Sequence, residues 1–346
     1  MHLSASAPAK LIFLGEYAVL EGAPALVAAV DCRAHVTLSG HCGSGWRLSA
    51  PQLGIRDMEL GENGEIDDVT DSTTRDSLAL FDAVRRTVMS QAPALSTLSI
   101  QIDTAAFYNN NRKLGLGSSA AVAVALTTAL SAAAGRVPDR ASVQALASEA
   151  HRRAQGGIGS NADIAAAVHG GILGYRSGQT PAPVELPTAL WLQPVVLNES
   201  ASTTELVGRV LELKERAPQA FQSVMQPLQD LAEQGYNAFR AHESTAFTHV
   251  FSAYYEALEQ LGRVAGADIV SASHEALHSA ALDAGIHYKS CGAGGGDLGL
   301  LAAAHSQDKH NAAARRIADT TGCTLLEAEL GAQGVALENA PVTATL

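Results

Sequence analysis

Three glycine-rich segments, distributed between residues 8 and 297, place the strongest constraint on what this chain can fold into. In each of them, small residues leave the backbone accessible beside a charged or hydroxyl side chain. Because glycine has no Cβ, its amide N–H group can approach a polyphosphate closely. A fold that brings the three segments together would therefore bind phosphates. The segments cover residues 8–20, 115–121 and 292–297.

The middle segment reads Gly-Leu-Gly-Ser-Ser-Ala-Ala from residue 115 and leads into a predicted helix over 118–134. The free N–H groups and the dipole of a helix N-terminus bind anions, so residues 115–119 are candidates for phosphate contacts. Ser118 and Ser119 add hydroxyls that either cap the helix or reach a Mg²⁺ bound to phosphate. A serine cap on an ordinary helix is the alternative interpretation.

Two common nucleotide-binding motifs fit this segment poorly. Residues 115–120 match G-x-G-x-x-A, but that dinucleotide-binding pattern should follow a buried strand, and residues 108–113 are polar. No G-x-x-x-x-G-K-[ST] occurs in the chain, which excludes a P-loop. The dinucleotide fold is therefore disfavoured.

Asp163 and Lys10 are the candidate charged residues for chemistry. Asp163 follows the flexible loop 156–160 and starts a predicted helix over 162–168, where a carboxylate serves as a cap or acts on a proton of a substrate hydroxyl. Lys10 is either a surface lysine at a strand start or a cation facing phosphates. The local sequence leaves both alternatives open.

A second motif suggests a different chemistry from that of the glycine segments. Residues 274–278 read His-Glu-Ala-Leu-His and match H-E-x-x-H, which on a helix places two imidazoles on one face, as a zinc hydrolase requires. A third ligand is hard to find, because Asp283 and His287 are followed by a glycine loop and the next glutamate is Glu327. The alternative interpretation is an ordinary helix before that loop.

Length and local composition predict two domains. A chain of 346 residues is too long for one comfortable core. Residues 178–187 contain three prolines and divide a domain over 1–180 from one over 188–346. We expect a monomer or a homodimer.

Charge and cysteine content limit the partners and the compartment. A net charge of −12 argues against nucleic acid or an anionic membrane as partner. The four cysteines form no C-x-x-C pair, and the N-terminal residues do not resemble a signal peptide. We therefore expect a cytoplasmic protein that acts on a small molecule.

Hydrophobic periodicity predicts further elements. Residues 54–74 are polar and are assigned to loops or a hairpin, and strands are expected on both sides of the last glycine segment. The predicted strands cover 11–14, 25–30, 35–38, 98–102 and 324–329, and the other predicted helices cover 77–90, 140–153, 203–215, 220–241, 245–265 and 271–284.

Taken in order, the three glycine segments resemble the motifs of the GHMP kinase superfamily, over nearly the whole chain. Two further passages resemble the phosphomevalonate kinases within it: residues 113–119, Lys-Leu-Gly-Leu-Gly-Ser-Ser, and residues 150–171, which begin Ala-His-Arg-Arg-Ala-Gln-Gly. The last glycine segment ends in Asp297, where mevalonate kinases usually have glycine. The chain departs from the pattern at Ala9, Gly157, Asn161 and 290–291.

The resemblance implies a two-domain α+β fold, with a first domain like domain 2 of ribosomal protein S5 and a ferredoxin-like second domain. ATP, with Mg²⁺, and the acceptor would meet in the cleft between them. The implied reaction is phosphorylation of 5-phosphomevalonate to 5-diphosphomevalonate. A mevalonate kinase, which phosphorylates an alcohol, or another small-molecule kinase of the superfamily is the alternative.

The resemblance also implies roles for individual residues. Lys10 and Asp163 would be catalytic, and Ser119 would be the favoured Mg²⁺ ligand. The implied ATP-binding residues are Lys113, Gly115, Leu116, Gly117, Ser118, Ser119 and Ala120. The implied acceptor-binding residues are Glu16, Tyr17, Ser160, Lys289, Gly294, Gly295 and Asp297.

The doubly anionic acceptor requires cations, which the sequence offers beside the motifs. Lys289 opens the segment leading to the last glycine loop and is expected to face the acceptor. Arg152 and Arg153 are further candidates, although basic residues in the last turn of a helix are also favoured by its dipole. His151 could add a donor, and Arg112 is expected, like Lys113, to serve ATP.

Overall fold

The computed structural model describes residues 2–338 except 68, 70, 93, 94, 96, 110, 111, 137, 138, 158, 198, 200, 201, 297 and 306. These residues form two mixed layers of sheet and helix, so the predicted α+β class is confirmed. The strands are β1 (His2–Leu14), β2 (Ala25–Gly40), β3 (Arg47–Ala50), β4 (Ile55–Glu59), β5 (Leu98–Asp103), β6 (Tyr108–Asn109), β7 (Arg112–Lys113), β8 (Ile172–Tyr175), β9 (Ala182–Val184), β10 (Leu190–Val196), β11 (His287–Ser290), β12 (Leu298–Ala304), β13 (Thr324–Leu325) and β14 (Ala336–Glu338).

The helices agree closely with those predicted from periodicity, apart from α1, which begins inside the stretch assigned to loops, and α10, which the sequence analysis did not predict. Within the described ranges, no helix is both long and apolar enough to cross a membrane. The helices are α1 (Ser72–Ser77), α2 (Ala79–Met89), α3 (Ser118–Ala133), α4 (Arg140–Ala154), α5 (Ala162–His169), α6 (Thr203–Arg216), α7 (Pro218–Arg240), α8 (Ser244–Ala265), α9 (Ala272–Asp283) and α10 (Gln307–Thr321).

The first sheet is built on a long antiparallel pair, β1 and β2. Its order is β14-β1-β2-β5-β3-β4, and β8 and β9 extend it from β2. Both long strands exceed the short predicted ones, because their pairing continues through segments that contain polar residues as well as apolar ones. The register of β1 shifts between Pro8 and Ala9, and such irregularities re-aim side chains near sites. Lys10 follows this shift.

Helix α3 lies on the first sheet and positions the middle glycine segment. Apart from residues near its two ends, α3 is buried all round, as expected for a helix without a polar face. Its many alanines allow close packing against β1 and β2. The N-terminus of α3 is therefore held rigidly at one end of the sheet.

The second sheet has the ferredoxin-like arrangement implied by the resemblance. Its antiparallel order is β13-β10-β12-β11, with α6–α9 between β10 and β11, and α10 between β12 and β13. This is the β-α-β-β-α-β connection. Strand β10 was missed in the sequence because Pro194 interrupts it, and a proline inside a strand lacks a donor for the ladder.

The two halves share one continuous apolar core. Phe13 of β1 packs on Phe239 and Phe247 of α7 and α8, with ring centroids 5.5 and 6.4 Å apart. The predicted boundary falls where the sheet changes, because β9 joins the first sheet and β10 the second. The predicted second domain over 188–346 needs a correction, however, because β14 returns to the first sheet and pairs with β1.

Candidate active site

A cleft of about 450 Å³ lies where the three glycine segments meet. Residues of all three segments line it, together with the start of α5 and of α6. The predicted residues that line it are Lys10, Glu16, Tyr17, Lys113, Gly115, Gly117, Ser119, His151, Ser160 and Asp163. The remaining lining residues, which were given no individual role from the sequence, are Ile12, Val19, Leu20, Gln155, Gly159, Asn161, Thr203, Thr204, Val207, Gly292 and Ala293.

The N-terminus of α3 opens into this cleft through two left-handed glycines. Gly115 and Gly117 have φ values of 68° and 78°, which favour glycine. Gly117 is the N-cap, and no described side chain caps the helix there. The alternative of a serine cap is therefore wrong: Ser118 is the first helical residue. The uncapped N–H groups of the first turn remain available to an anion.

The predicted nucleotide residues divide into two sets. Gly115, Gly117 and Ser119 line the cleft, as does Lys113. Three others lie behind them in the core: Leu116, Ser118 and Ala120 are 1%, 8% and 1% exposed. These three residues can support the loop, but their side chains are not placed to touch a nucleotide.

Ser119 is held by a histidine from α4. The hydroxyl Oγ lies 3.1 Å from Nε2 of His151, which is also 3.1 Å from Nε2 of Gln155. His151 is almost fully buried, so its ring is fixed and keeps the serine oxygen directed along the cleft. The sequence analysis placed His151 with the acceptor, whereas its contact is with Ser119.

Asp163 lies in the first turn of α5 and is not its cap. The N-cap is Asn161, with a φ of 62°. Oδ1 of Asp163 accepts a hydrogen bond of 2.9 Å from the N–H of Ile164. The interpretation of Asp163 as a helix cap is therefore wrong.

Lys10 reaches the cleft by packing against the middle segment. Its backbone N–H donates to the carbonyl of Leu116 at 3.0 Å, and a Cβ on Gly117 would lie 2.9 Å from Cε of Lys10. Only glycine leaves room for this side chain. Among the described side chains, none lies within 4.0 Å to form an ion pair with Lys10 or Asp163.

The first and last glycine segments are joined directly. Tyr17 adopts a positive φ of 61°, and its hydroxyl donates to the carbonyl of Ala293 at 2.6 Å. Burial, and the nearby charge of Glu16, raise the pKa of Tyr17 well above its ordinary value, so the hydroxyl stays protonated as a donor. Two adjoining walls of the cleft, one from β1 and the turn after it and one from the residues after β11, thus meet at this hydrogen bond.

Lys289 does not line the cleft, where it was predicted to face the acceptor. Its side chain is fully buried, and its amine donates to Oε1 of Glu16 at 2.5 Å and to the carbonyl of Ser290 at 2.7 Å. The amine thus contacts a lining residue, Glu16, from the buried side.

Glu16, Tyr17 and Ser160 line the cleft, but four other predicted acceptor contacts, Gly294, Gly295, Arg152 and Arg153, do not. Gly294 and Gly295 pack on Ile269, whose carbonyl accepts from the N–H of Gly295 at 3.0 Å; Gly292 and Ala293 line the cleft in their place. Arg152 and Arg153 are exposed outside the lining, and Arg153 pairs with Glu149 at 2.9 Å. The predicted residue Asp297 lies outside the described residues.

The zinc alternative finds no support. Nδ1 of the fully buried His274 lies 2.6 Å from the hydroxyl of Tyr288, and the ring of His278 stacks on Tyr255 at 3.8 Å. Desolvation lowers the pKa of His274 to about 4. Within the part of the chain that is described, no three His, Cys, Asp or Glu side chains are grouped to hold a metal ion. The motif is part of a packed helix.

Comparisons with known proteins point to one family. Residues 81–171 match the family described as the GHMP kinases N terminal domain. The chain is 27% identical to phosphomevalonate kinase of Streptomyces sp. (strain CL190), over 87% of this chain and 90% of that protein. It is 30% identical to mevalonate kinase of Thermococcus sibiricus (strain DSM 12597 / MM 739), over 67% of this chain and 68% of that protein.

A solved structure shares the fold. The structure of Streptococcus pneumoniae phosphomevalonate kinase in complex with phosphomevalonate and AMPPNP superposes with a TM-score of 0.73 at 21% identity, covering 94% of this chain and 99% of that one. The sequence relatives and the shared fold support the same family that the order of the three glycine segments indicates. The chain belongs to the GHMP kinase family, whose members are phosphotransferases.

Proposed function

We propose that the protein transfers the terminal phosphoryl group of ATP to 5-phosphomevalonate and forms 5-diphosphomevalonate. The observation that carries this proposal is the cleft itself: uncapped N–H groups of α3, Ser119, Lys10 and Asp163 all border one space. Support for the acceptor comes from a relative that matches over 87% of this chain, a phosphomevalonate kinase.

Each part of the cleft has its own role in the proposed phosphoryl transfer, which depends mainly on positioning and charge stabilisation. The N-terminus of α3 binds the phosphates of ATP. Lys10 neutralises the charge of the transferring group, and Asp163 orients Lys10 and the acceptor. Because a phosphate oxygen is already anionic near neutral pH, Asp163 need not be a strong base.

The donor set fits Mg²⁺, which binds proteins through one or two oxygens and takes its other ligands from water and substrate phosphates. Ser119 offers a hydroxyl oxygen in the cleft, and Asp163 offers a carboxylate in the same space. When bound, Mg²⁺ would neutralise phosphate charge. Ser119 is the ligand we propose, oriented by His151.

We expect Ser119→Ala to raise the Mg²⁺ concentration needed for half-maximal rate by about tenfold, because one oxygen ligand is lost. Ser118→Ala is the matched comparison, since the neighbouring hydroxyl is buried behind the lining. A Mg²⁺ titration of initial rates measures both. Equal curves for Ser119→Ala and the wild type would remove Ser119 from the metal site.

The mevalonate kinase alternative is favoured by one observation, the higher identity to an archaeal mevalonate kinase. The cleft also has fewer cations than the sequence analysis expected. Its described lining offers Lys10 and Lys113 against the carboxylates of Glu16 and Asp163. These lysines, Mg²⁺ and the N-terminus of α3 would together neutralise the charge of a doubly anionic acceptor.

The test is ADP release in a coupled assay with Mg-ATP and three additions: 5-phosphomevalonate, mevalonate or none. We expect kcat/KM for phosphomevalonate to exceed that for mevalonate by about 10- to 150-fold, since a lost charged contact is worth about 1.5–3 kcal/mol. Phosphorus NMR should show a diphosphate product. Faster turnover of mevalonate would establish the alternative, and ADP release that no acceptor stimulates would refute the kinase proposal.

A further inference from the structure

An ion pair is buried completely beneath the cleft. Lys289 and Glu16 have side chains that are 0% and 1% exposed, and their charged atoms are 2.5 Å apart. The amine also lies 5.4 and 5.8 Å from the ring centroids of Phe251 and Tyr254. Removing two charges from water is costly, and apolar residues of similar size often stabilise a fold as well or better. Stability alone is therefore a weak explanation for this pair.

The charge of Lys289 favours the ionised form of the buried Glu16 carboxyl. Burial raises the pKa of the Glu16 carboxyl above its ordinary value, and the charge of Lys289 opposes that effect, with a smaller contribution from Lys10. The other carboxylate oxygen, Oε2, is buried and has no hydrogen-bond partner among the described residues. The other titratable groups that respond to its charge are Tyr17, Tyr254 and Cys291.

Among the described residues, the pair is one of three polar side-chain connections from residues 16–17 to the second half of the chain. The hydroxyl of Tyr254 donates to the backbone carbonyl of Glu16 at 2.8 Å. The hydroxyl of Tyr17 donates to Ala293 at 2.6 Å. The turn also packs closely on the start of β2, because a Cβ on Gly15 would collide with the carbonyl oxygen of Pro24.

These connections join two walls of the cleft. Lys10 of β1 and the turn residues Glu16 and Tyr17 form one wall, and Gly292 and Ala293 form an adjoining wall just beyond Lys289. A shift of Glu16 relative to β11 would change the distance between those walls. A misplacement of about 1 Å can lower a rate by about 100-fold.

From this arrangement we infer that Lys289 is a positioning residue for phosphoryl transfer: acting through Glu16, it holds the wall that carries Lys10 against the wall formed by Gly292 and Ala293. The inference rests on the proposed function for its catalytic consequence. It replaces the direct contact with the acceptor that the sequence suggested.

The decisive variant replaces both Glu16 and Lys289 with uncharged residues. Lys289→Met alone leaves a buried carboxylate unpaired and risks unfolding the protein. Glu16→Gln/Lys289→Met removes both charges with little change in volume. We expect it to unfold cooperatively near the wild-type temperature, with kcat lowered about 100-fold and KM for ATP changed by less than about threefold.

Hydrogen exchange provides a readout that needs no acceptor. In the neutral double variant, the amides of residues 292–296 should exchange faster than in the wild type. The control is Glu21→Gln/Lys214→Met, which removes an ion pair of 2.7 Å that also joins the two halves but is partly exposed, at 21% and 46%. That control should retain wild-type kcat and exchange, because exposed pairs contribute little.

Two results would overturn the inference: wild-type kcat and exchange in the neutral double variant, or a lower unfolding temperature with unchanged kcat in the folded protein. The second result would mean that the pair serves stability only. If the wild type transfers no phosphoryl group, the proposed function fails, and the exchange rates alone then decide whether the pair holds the two walls together.

Discussion

Lys10→Met should lower kcat about 1,000-fold while the protein remains folded. Lys10 crosses Gly117 to reach the cleft, and no described carboxylate within 4.0 Å takes up its charge. A fixed cation beside the transferring phosphoryl group stabilises charge that is spread over its oxygens in the transition state, and comparable cations contribute about 10³-fold or more. Methionine keeps the length of the side chain, so the loss reports the charge.

Steady-state kinetics of Lys10→Met and Lys113→Met separate catalysis from nucleotide binding. Lys113 is exposed at the edge of the same cleft, and its loss should raise KM for ATP with a smaller effect on kcat. Circular dichroism and thermal unfolding check that both variants fold. A kcat for Lys10→Met within threefold of the wild type would exclude Lys10 from the chemistry.

Asp163→Asn should lower kcat by about 100-fold or more, with KM for both substrates changed much less. Asparagine keeps the oxygen that accepts the N–H of Ile164, so α5 should start as it does in the wild type. What is lost is the negative charge that, in the proposed function, orients the acceptor beside Lys10, and positioning of this kind accounts for large factors in rate.

Asp139→Asn is the matched control for that experiment. Asp139 is a true helix cap, whose side chain accepts from the N–H of Ser142 at 2.8 Å, and it lies outside the cleft lining. Its variant should alter stability and leave kcat unchanged. If Asp163→Asn behaved in the same way, Asp163 would be a structural residue of the first turn.

The sequence predicts those parts of the site that depend on local geometry. Glycines at 115 and 117 before an alanine-rich run indicate a phosphate-binding helix start, and the structure has both in the left-handed conformation. Asp163 is also found in the cleft, because a loop and a helix start at fixed spacing bring it there. The long helices of the second half follow from their 3.6-residue periodicity.

The residues that sequence reasoning misplaces depend on distant partners. Lys289 precedes a glycine segment, as a substrate-binding lysine would, but its position is set by Glu16, which is 273 residues away in the chain. Thr203 and Thr204 line the cleft only because α6 packs beside the first glycine segment. Pro194 makes β10 hard to predict from the sequence, since the strand is stabilised by its pairing with β12 and β13.

The return of β14 to the first sheet has a consequence for synthesis on the ribosome. Ser4 and Ser6 pair with Glu338 and Ala336, so one edge of β1 stays open until almost the whole chain has emerged. Open edges are sites of unwanted pairing between chains, and contacts of such large sequence separation form slowly. The first half of the nascent chain therefore faces a period of exposure to aggregation that ends only when its last strand arrives.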